Sequence, residues 1–268
     1  MESINEVDPI GHAKLCVDGV KRAVVAISGG LDSPTVLGWL LENDIEVVLV
    51  AFDYGQVHDK ELKAMASVKE YFKESDKGHL IIRSMILNVG FMRRIGGSAL
   101  LDERIDVPVG RAEEEMSDIP VTYVPGRNTM FIACGLSVAE VMDADAVAVG
   151  VNHVDFSGYP DCRPEYIARW NELALLSSQR AVEGKPIKVI APLQYMGKKD
   201  IVQFGEGFKV KVPYAFTWSC YKGEVLPCGE CDACVLRNNG FKALGRSDPS
   251  IEYWKGVARA ITNNVKIP

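Results

Sequence analysis

The sequence predicts an α/β protein with a doubly wound, mostly parallel sheet and a small four-cysteine module near its carboxyl end. Three observations carry that expectation: β-branched apolar runs alternate with stretches of helical periodicity, a glycine turn joins the first run to the first helix, and four of the seven cysteines crowd into residues 220–234. With 268 residues, 47% of them hydrophobic, the chain can bury one large domain with appendages. The formal net charge of −6 argues against a protein whose main work is covering phosphate backbone, so no direct nucleic-acid partner is expected. No apolar run is long enough to cross a bilayer, and the acidic start at residues 1–8 lacks a signal-peptide core, so the reading is cytoplasmic with no membrane partner. An odd, uneven set of cysteines speaks for metal chemistry in a reducing compartment rather than a disulfide framework.

Taken in order, residues 1–21 have weak periodicity and read as an extension ahead of a nucleotide-binding domain over 22–216, with a zinc-binding and helical region over 217–268. Residues 23–27 form the first expected strand and 33–42 the first helix, with Pro34 in its first turn, where a missing N–H costs nothing. A strand over 46–52 ends in Asp53-Tyr54-Gly55-Gln56, and a helix over about 60–74 follows. Residues 80–87 give a third strand. Residues 88–121, with Gly96-Gly97, Pro108, Gly110 and the acidic run Glu113-Glu114-Glu115, read as a loop region able to cover a site. Beyond Tyr123-Val124-Pro125-Gly126-Arg127-Asn128 an apolar helix runs to 141, followed by a strand over 146–151, a polar loop through 163, a helix over about 164–182 and a strand over 187–193. Gly197-Lys198-Lys199-Asp200 opens a short helix. In an open α/β sheet ligands sit beyond the carboxyl ends of the strands, so the segments 28–33, 53–56, 125–128 and 152–163 are expected on one rim.

Between the first strand and helix lies Ser28-Gly29-Gly30-Leu31-Asp32-Ser33. Adjacent glycines allow a sharp turn that presents N–H groups, a helix N-terminus adds partial positive charge, and two serines add hydroxyls, which together suit an anion such as pyrophosphate. No Gly-Lys-Ser/Thr follows, so this is not a Walker A loop; it resembles the PP-loop of ATP pyrophosphatases. Late in the chain, Cys220, Cys228, Cys231 and Cys234 are spaced C-x7-C-x2-C-x2-C. Four soft thiolates suit tetrahedral Zn²⁺ in a structural role, since they leave no open position for catalytic water; an iron–sulfur cluster is the main rival for the same four ligands. Cys134 reads as core, and Cys162 lies in a polar loop.

Together, Ser28–Ser33, Tyr123–Asn128, the block Phe156-Ser157-Gly158-Tyr159-Pro160-Asp161-Cys162-Arg163, and Ser219-Cys220-Tyr221 with Cys228-Gly229-Glu230-Cys231-Asp232-Ala233-Cys234-Val235-Leu236-Arg237 resemble the QueC family over residues 22–242. The resemblance implies a Rossmann-like fold of the HUP type and an ATP-dependent ligase. That enzyme converts the carboxylate of 7-carboxy-7-deazaguanine to a nitrile with ammonia, through an adenylated carboxylate and an amide, on the way to queuosine or archaeosine in tRNA. It further implies a homodimer and the cofactors ATP, Mg²⁺ and Zn²⁺. On this reading Ser28, Gly29, Gly30, Asp32 and Ser33 hold the pyrophosphate, and Asp32 helps place Mg²⁺. Asp53 binds the ribose or caps its turn. Arg127 and Lys198 stabilise charge accumulating on phosphate. Arg163 pairs with the substrate carboxylate, Arg127 and Asn128 bind substrate, and Asp155, Phe156, Tyr159 and Asp161 receive the base by stacking and by accepting hydrogen bonds from its guanine-type edge. His58 and His153 read as rim residues more than as proton carriers. Two alternatives stay open: a QueC-like paralogue that transfers the adenylated carboxylate to another amine, including one on a protein partner, and a non-enzymatic zinc-ribbon binding module. The second leaves the glycine loop and the 156–163 block without a purpose.

Overall fold

Runs of valine and alanine suit strands covered on both faces, and the sheet they build is entirely parallel. The structure, a computed structural model, describes residues 7–116, 118–154 and 159–262. In chain order the elements are α1 (Pro9–Val17), β1 (Arg22–Ala26), α2 (Asp32–Glu42), β2 (Glu46–Asp53), α3 (Lys60–Lys73), β3 (Ile81–Asn88), α4 (Met92–Ile95), α5 (Arg127–Val141), β4 (Ala146–Ala148), α6 (Pro164–Ala174), α7 (Gln179–Val182), β5 (Lys188–Ile190), α8 (Lys198–Glu206), α9 (Asp232–Lys242) and α10 (Pro249–Thr262). The strand order is β3-β2-β1-β4-β5, with every neighbouring pair parallel. The order reverses between β1 and β4, so the flanking connections diverge there and a crevice opens at the strands' carboxyl ends.

Strand alternation feeds separate cores on the two faces. Ala23, Val25, Val47 and Leu49 pack with Leu37 and Leu40 of α2, Met65 and Phe72 of α3, and Ile201 of α8. Val24, Val48, Val50 and Val147 face Ala139 of α5, and Val189 meets Ile132 of α5 and Ile167 of α6. Residues 33–41 of α2 are all buried; each buried leucine there stabilises the fold by about 1.5–3 kcal/mol. A fourth cluster gathers Trp218, Cys220, Cys231, Cys234 and Trp254 against Ala64 of α3.

Four features differ from the sequence expectation. Residues 9–17, read as part of an extension, form α1, capped by the Asp8 carboxylate, which accepts from the Ile10 N–H. The helix buries only Ala13, whose carbonyl accepts from the Trp39 indole N–H at 3.1 Å; one small buried residue leaves almost no periodic signal. The helix expected over 164–182 is two helices, because Ser178 turns extended and its hydroxyl accepts from the Ala181 N–H, starting α7. Strand β4 ends at Ala148 rather than 151. Just beyond it, Gly150 passes so close to α2 that a Cβ would lie 2.8 Å from the Ser33 nitrogen. Finally, residues 88–121 do two jobs. Leu100 is buried and its carbonyl accepts from the Val57 N–H. Val109 pairs antiparallel with Cys231, the Gly110 N–H donates to the Glu230 carbonyl at 3.0 Å, and Arg111 pairs with Asp232 at the start of α9. Among the described residues no helix is long and apolar enough to cross a membrane.

Candidate active site

A cavity of about 270 Å³ opens at the carboxyl end of the sheet. The Ser28–Ser33 loop forms its floor and is closed by its own serines: the Ser28 N–H donates to Ser33 Oγ at 2.8 Å, and the Gly30 N–H donates to Ser28 Oγ at 3.2 Å. Ser28, Gly30, Asp32 and Ser33 line the cavity, whereas Gly29 turns away from it. A Cβ on Gly29 would lie 2.1 Å from the Glu61 carbonyl oxygen, so this position lets α3 press against the loop. The Gly29 carbonyl accepts from the Trp218 N–H at 2.7 Å, tying the loop to the cysteine segment.

Lys198, at the start of α8, places its Nζ 3.0 and 2.9 Å from the two carboxylate oxygens of Asp32. Two of the residues expected around the phosphates are thus one ion pair at the cavity floor. Helix α9 approaches closely because Gly240 lacks a Cβ, which would otherwise lie 2.7 Å from Lys198 Cβ.

Arg127 opens α5 with its guanidinium 5.9 Å from the ring centres of both Tyr54 and Tyr159. Burial works against its charge, but Tyr54, Tyr159 and the Glu61 carboxylate overcome that, and the net shift is upward, so the guanidinium stays charged. Burial likewise pushes the phenols of Tyr54 and Tyr221 up, leaving both as neutral hydrogen-bonding groups. The Tyr159 hydroxyl lies 3.1 Å from Thr122 Oγ1 and 3.3 Å from the Tyr221 hydroxyl. One wall is therefore aromatic and carries a fixed cation.

Asn128 lines the cavity and its N–H donates to Asp161 Oδ2 at 3.4 Å. Asp161 itself is buried behind that wall, its Oδ1 without a partner, and burial raises its carboxyl against the opposing pull of Arg127. Arg163 is exposed at the start of α6, its Nε donating to the Pro160 carbonyl. The Asp53 carboxylate accepts from the Gly55 N–H at 3.2 Å and from Asn88 Nδ2 at 3.4 Å, closing its own turn. Neither Arg163 nor Asp53 is among the cavity-lining residues. Asp155 and Phe156 lie outside the described residues.

The remaining wall comes from the cysteine module. Cys220, Cys228, Cys231 and Cys234 bring their sulfurs within 4.8 Å of one another. The Cys228 N–H donates to Cys220 Sγ and the Cys231 N–H to Cys228 Sγ, both at 3.3 Å, as thiolate ligands require. Hydrogen bonds from Cys231, then Cys234, hold the Cys220 thiol far below its ordinary range. The donor set fits a tetrahedral metal. Trp218, Cys220, Tyr221 and Arg237 of the same module face the cavity, and the indole N–H of Trp218 donates to the Cys220 carbonyl at 2.7 Å. Arg237, buried, donates to both oxygens of Asp248, to Thr217 Oγ1 and to the Tyr214 carbonyl. Tyr54, Glu61, Trp218 and Tyr221 were not singled out from sequence as site residues. All four had a signal available, each lying one to three residues from a position already flagged.

The model of the family described as "Queuosine biosynthesis protein QueC" matches residues 22–245. A 7-cyano-7-deazaguanine synthase from Picrophilus torridus is 46% identical, the alignment covering 87% of this chain and 91% of the relative. One from Hydrogenovibrio crunogenus is 47% identical over 87% and 96% of the two chains, and one from Thermoplasma volcanium is 44% identical over 92% and 97%. Likeness of that extent, running through the glycine loop, the Arg127 helix and all four cysteines, means that the chain belongs to the QueC family.

Proposed function

We propose that this chain is an ATP-dependent synthase that converts 7-carboxy-7-deazaguanine and ammonia to 7-cyano-7-deazaguanine. The observation that carries this reading is the single cavity that joins a phosphate loop, with its Asp32–Lys198 pair, to an aromatic wall holding Arg127. The relatives named for that synthase activity support it.

A carboxylate is a poor acyl donor, so its oxygen first attacks the α-phosphorus of ATP, releasing pyrophosphate and leaving an acyl-adenylate. The Ser28–Ser33 loop receives the pyrophosphate oxygens, and Lys198 and Arg127 offset charge that builds on phosphate. Asp32 would hold Mg²⁺ as well as Lys198, and a bound divalent cation would neutralise phosphate charge. Ammonia then displaces AMP to give the amide; the amide oxygen is adenylated in turn, and AMP is eliminated as the nitrile forms. Tyr54, Tyr159 and Tyr221 supply faces for a flat bicyclic base. The four cysteines would hold Zn²⁺, which contributes folding energy to the module.

The test is to incubate the protein with the carboxylate, ATP and ammonium and weigh the products. Nitrile and AMP are expected. AMP without nitrile would shift the reading to transfer onto another amine, and absence of AMP would remove it. Asp32→Ala is expected to abolish AMP release at unchanged zinc content and melting temperature.

A further inference from the structure

His58 and Glu61 both line the cavity, and neither the buried His58 Nδ1 nor the Glu61 carboxylate has a hydrogen-bond partner among the described residues. Among the described residues lining it the carboxylates are Asp32 and Glu61. Asp32 is occupied by Lys198, whereas no hydrogen bond or ion pair to the Glu61 carboxylate is found among the described residues. His58 lies three positions earlier, two residues ahead of the start of α3, and lines the same cavity. Its Nε2 is 3.2 Å from the Tyr221 carbonyl oxygen, which can only accept, so His58 donates there. In the neutral ring Nδ1 is then the acceptor, and this atom is buried without a hydrogen-bond partner. An unmatched buried acceptor is costly, which marks it as a place where a ligand completes the bonding. The ring is also held in place: a Cβ on Gly223, which has a φ of +64°, would lie 2.3 Å from it. The carbonyl of Glu61 meanwhile abuts Gly29, which sets the pair beside the phosphate loop.

We propose that His58 and Glu61 form the amine site, binding ammonium and taking its protons. This rests on the adenylating reading above. A niche with two acceptors and one carboxylate, which also supports the charge of the Arg127 guanidinium, suits a ligand that is all donor. The proton balance matches the pair. Ammonium gives one proton to His58 Nδ1. The freed lone pair forms the C–N bond to the acyl carbon while the C–O bond to AMP breaks, its electron pair leaving on the phosphate oxygen. The nitrogen then gives a second proton to Glu61, and the neutral amide results. Both residues afterwards return their protons to water. His58, read from sequence as a rim residue, thereby becomes a proton acceptor.

The experiment uses the full-length, zinc-loaded protein and two measurements. One is carboxylate-dependent exchange of labelled pyrophosphate into ATP, which reports adenylation alone. The other is product formation with ammonium or with hydroxylamine, a nucleophile already unprotonated at neutral pH. Glu61→Gln and His58→Gln are expected to lower the ammonium reaction by about 100-fold, with exchange falling at least about tenfold less and with hydroxylamine recovering much of the lost rate. Three outcomes overturn the proposal: ammonium turnover unchanged in both variants, exchange lost as completely as the amine step, or a raised KM for the deazaguanine with that for ammonium unchanged. The last would make Glu61 a reader of the base edge. Absence of exchange in the unsubstituted protein would instead remove the adenylating reading, and this proposal with it.

Discussion

The two sides of the cavity are built in opposite ways. The phosphate-loop side is local: Ser28 and Ser33 close their own turn within six residues, directly between β1 and α2. The opposite side is assembled from segments far apart in sequence. Trp218 and Tyr221 reach it only because Cys220, between them, is drawn into the cysteine cluster, and because Arg237 and Asp248 pin α9 and α10 beneath. A local loop keeps its shape as long as its two elements exist, whereas a wall assembled at long range depends on whatever anchors it. Experiments on the anchor should therefore disturb the loop's function through Trp218 before they disturb the sheet.

The largest expected effect is metal removal. Structural zinc in comparable peptides contributes about 10–16 kcal/mol, so verified chelation should unfold residues 217–248 and, through the Trp218 to Gly29 bond, weaken nucleotide binding. Fluorescence of the perpendicular Trp218–Trp254 pair, whose ring centres are 5.0 Å apart, gives a local readout. An unchanged melting curve after measured metal loss would erase the contrast between the two sides.

Next comes the Arg237–Asp248 pair. Arg237→Met leaves a buried carboxylate without its partner and should cost about 3–5 kcal/mol in denaturant unfolding. The pair also sets a pH signature. Burial alone would raise the Asp248 carboxyl, but the Arg237 hydrogen bond and charge, with the Ser250 donors, bring it below its ordinary range. The unfolded chain therefore binds that proton more tightly. The pair's contribution is fully present above about pH 4 and is lost as pH falls through the depressed folded value. Arg237→Met should flatten that acid limb; an unaltered limb would assign the acid sensitivity elsewhere.

The smallest effect sharpens the comparison from the loop side. Gly29→Ala brings a methyl against the Glu61 carbonyl, so α3 must shift, at about 1–3 kcal/mol. Because α3 also carries Glu61 and packs Ala64 against the cysteine module, activity should fall more than stability, read as kcat/KM against melting temperature. Equal losses would mean that the loop tolerates α3 at a distance.

Much of this molecule was legible in its sequence. The β1–turn–α2 unit, the parallel sheet and the four cysteines are each specified by residues close together, through strand and helix periodicity, glycine turns and thiolate spacing. Arg127, Asn128 and Tyr159 came from segments expected on one rim and Lys198 from the family resemblance, and the structure brings all four to the cavity. Asp161 was expected to face the base, yet it lies behind the wall and bonds the start of α5. Arg163 ends its polar loop and Asp53 ends β2, as expected, but their side chains are engaged with their own turns. A polar loop residue has the same appearance in sequence whether it points inward or caps its neighbour.

What the sequence by itself determined is therefore the set of local units and their chemistry: an anion-binding turn, a parallel α/β frame, a thiolate cluster. Only the tertiary structure decided which side chains share a cavity. It brought Glu61, which periodicity alone does not distinguish from a solvated helix residue, to the same cavity as His58 and the phosphate loop. It also made a cysteine module, separable on the page of sequence, into a wall of the same site. The physical reason is that a hydrogen bond such as Trp218 to Gly29, or the approach of Gly223 to His58, spans more than a hundred and sixty residues of chain. Such contacts are set by how packed faces meet, and no local pattern encodes them.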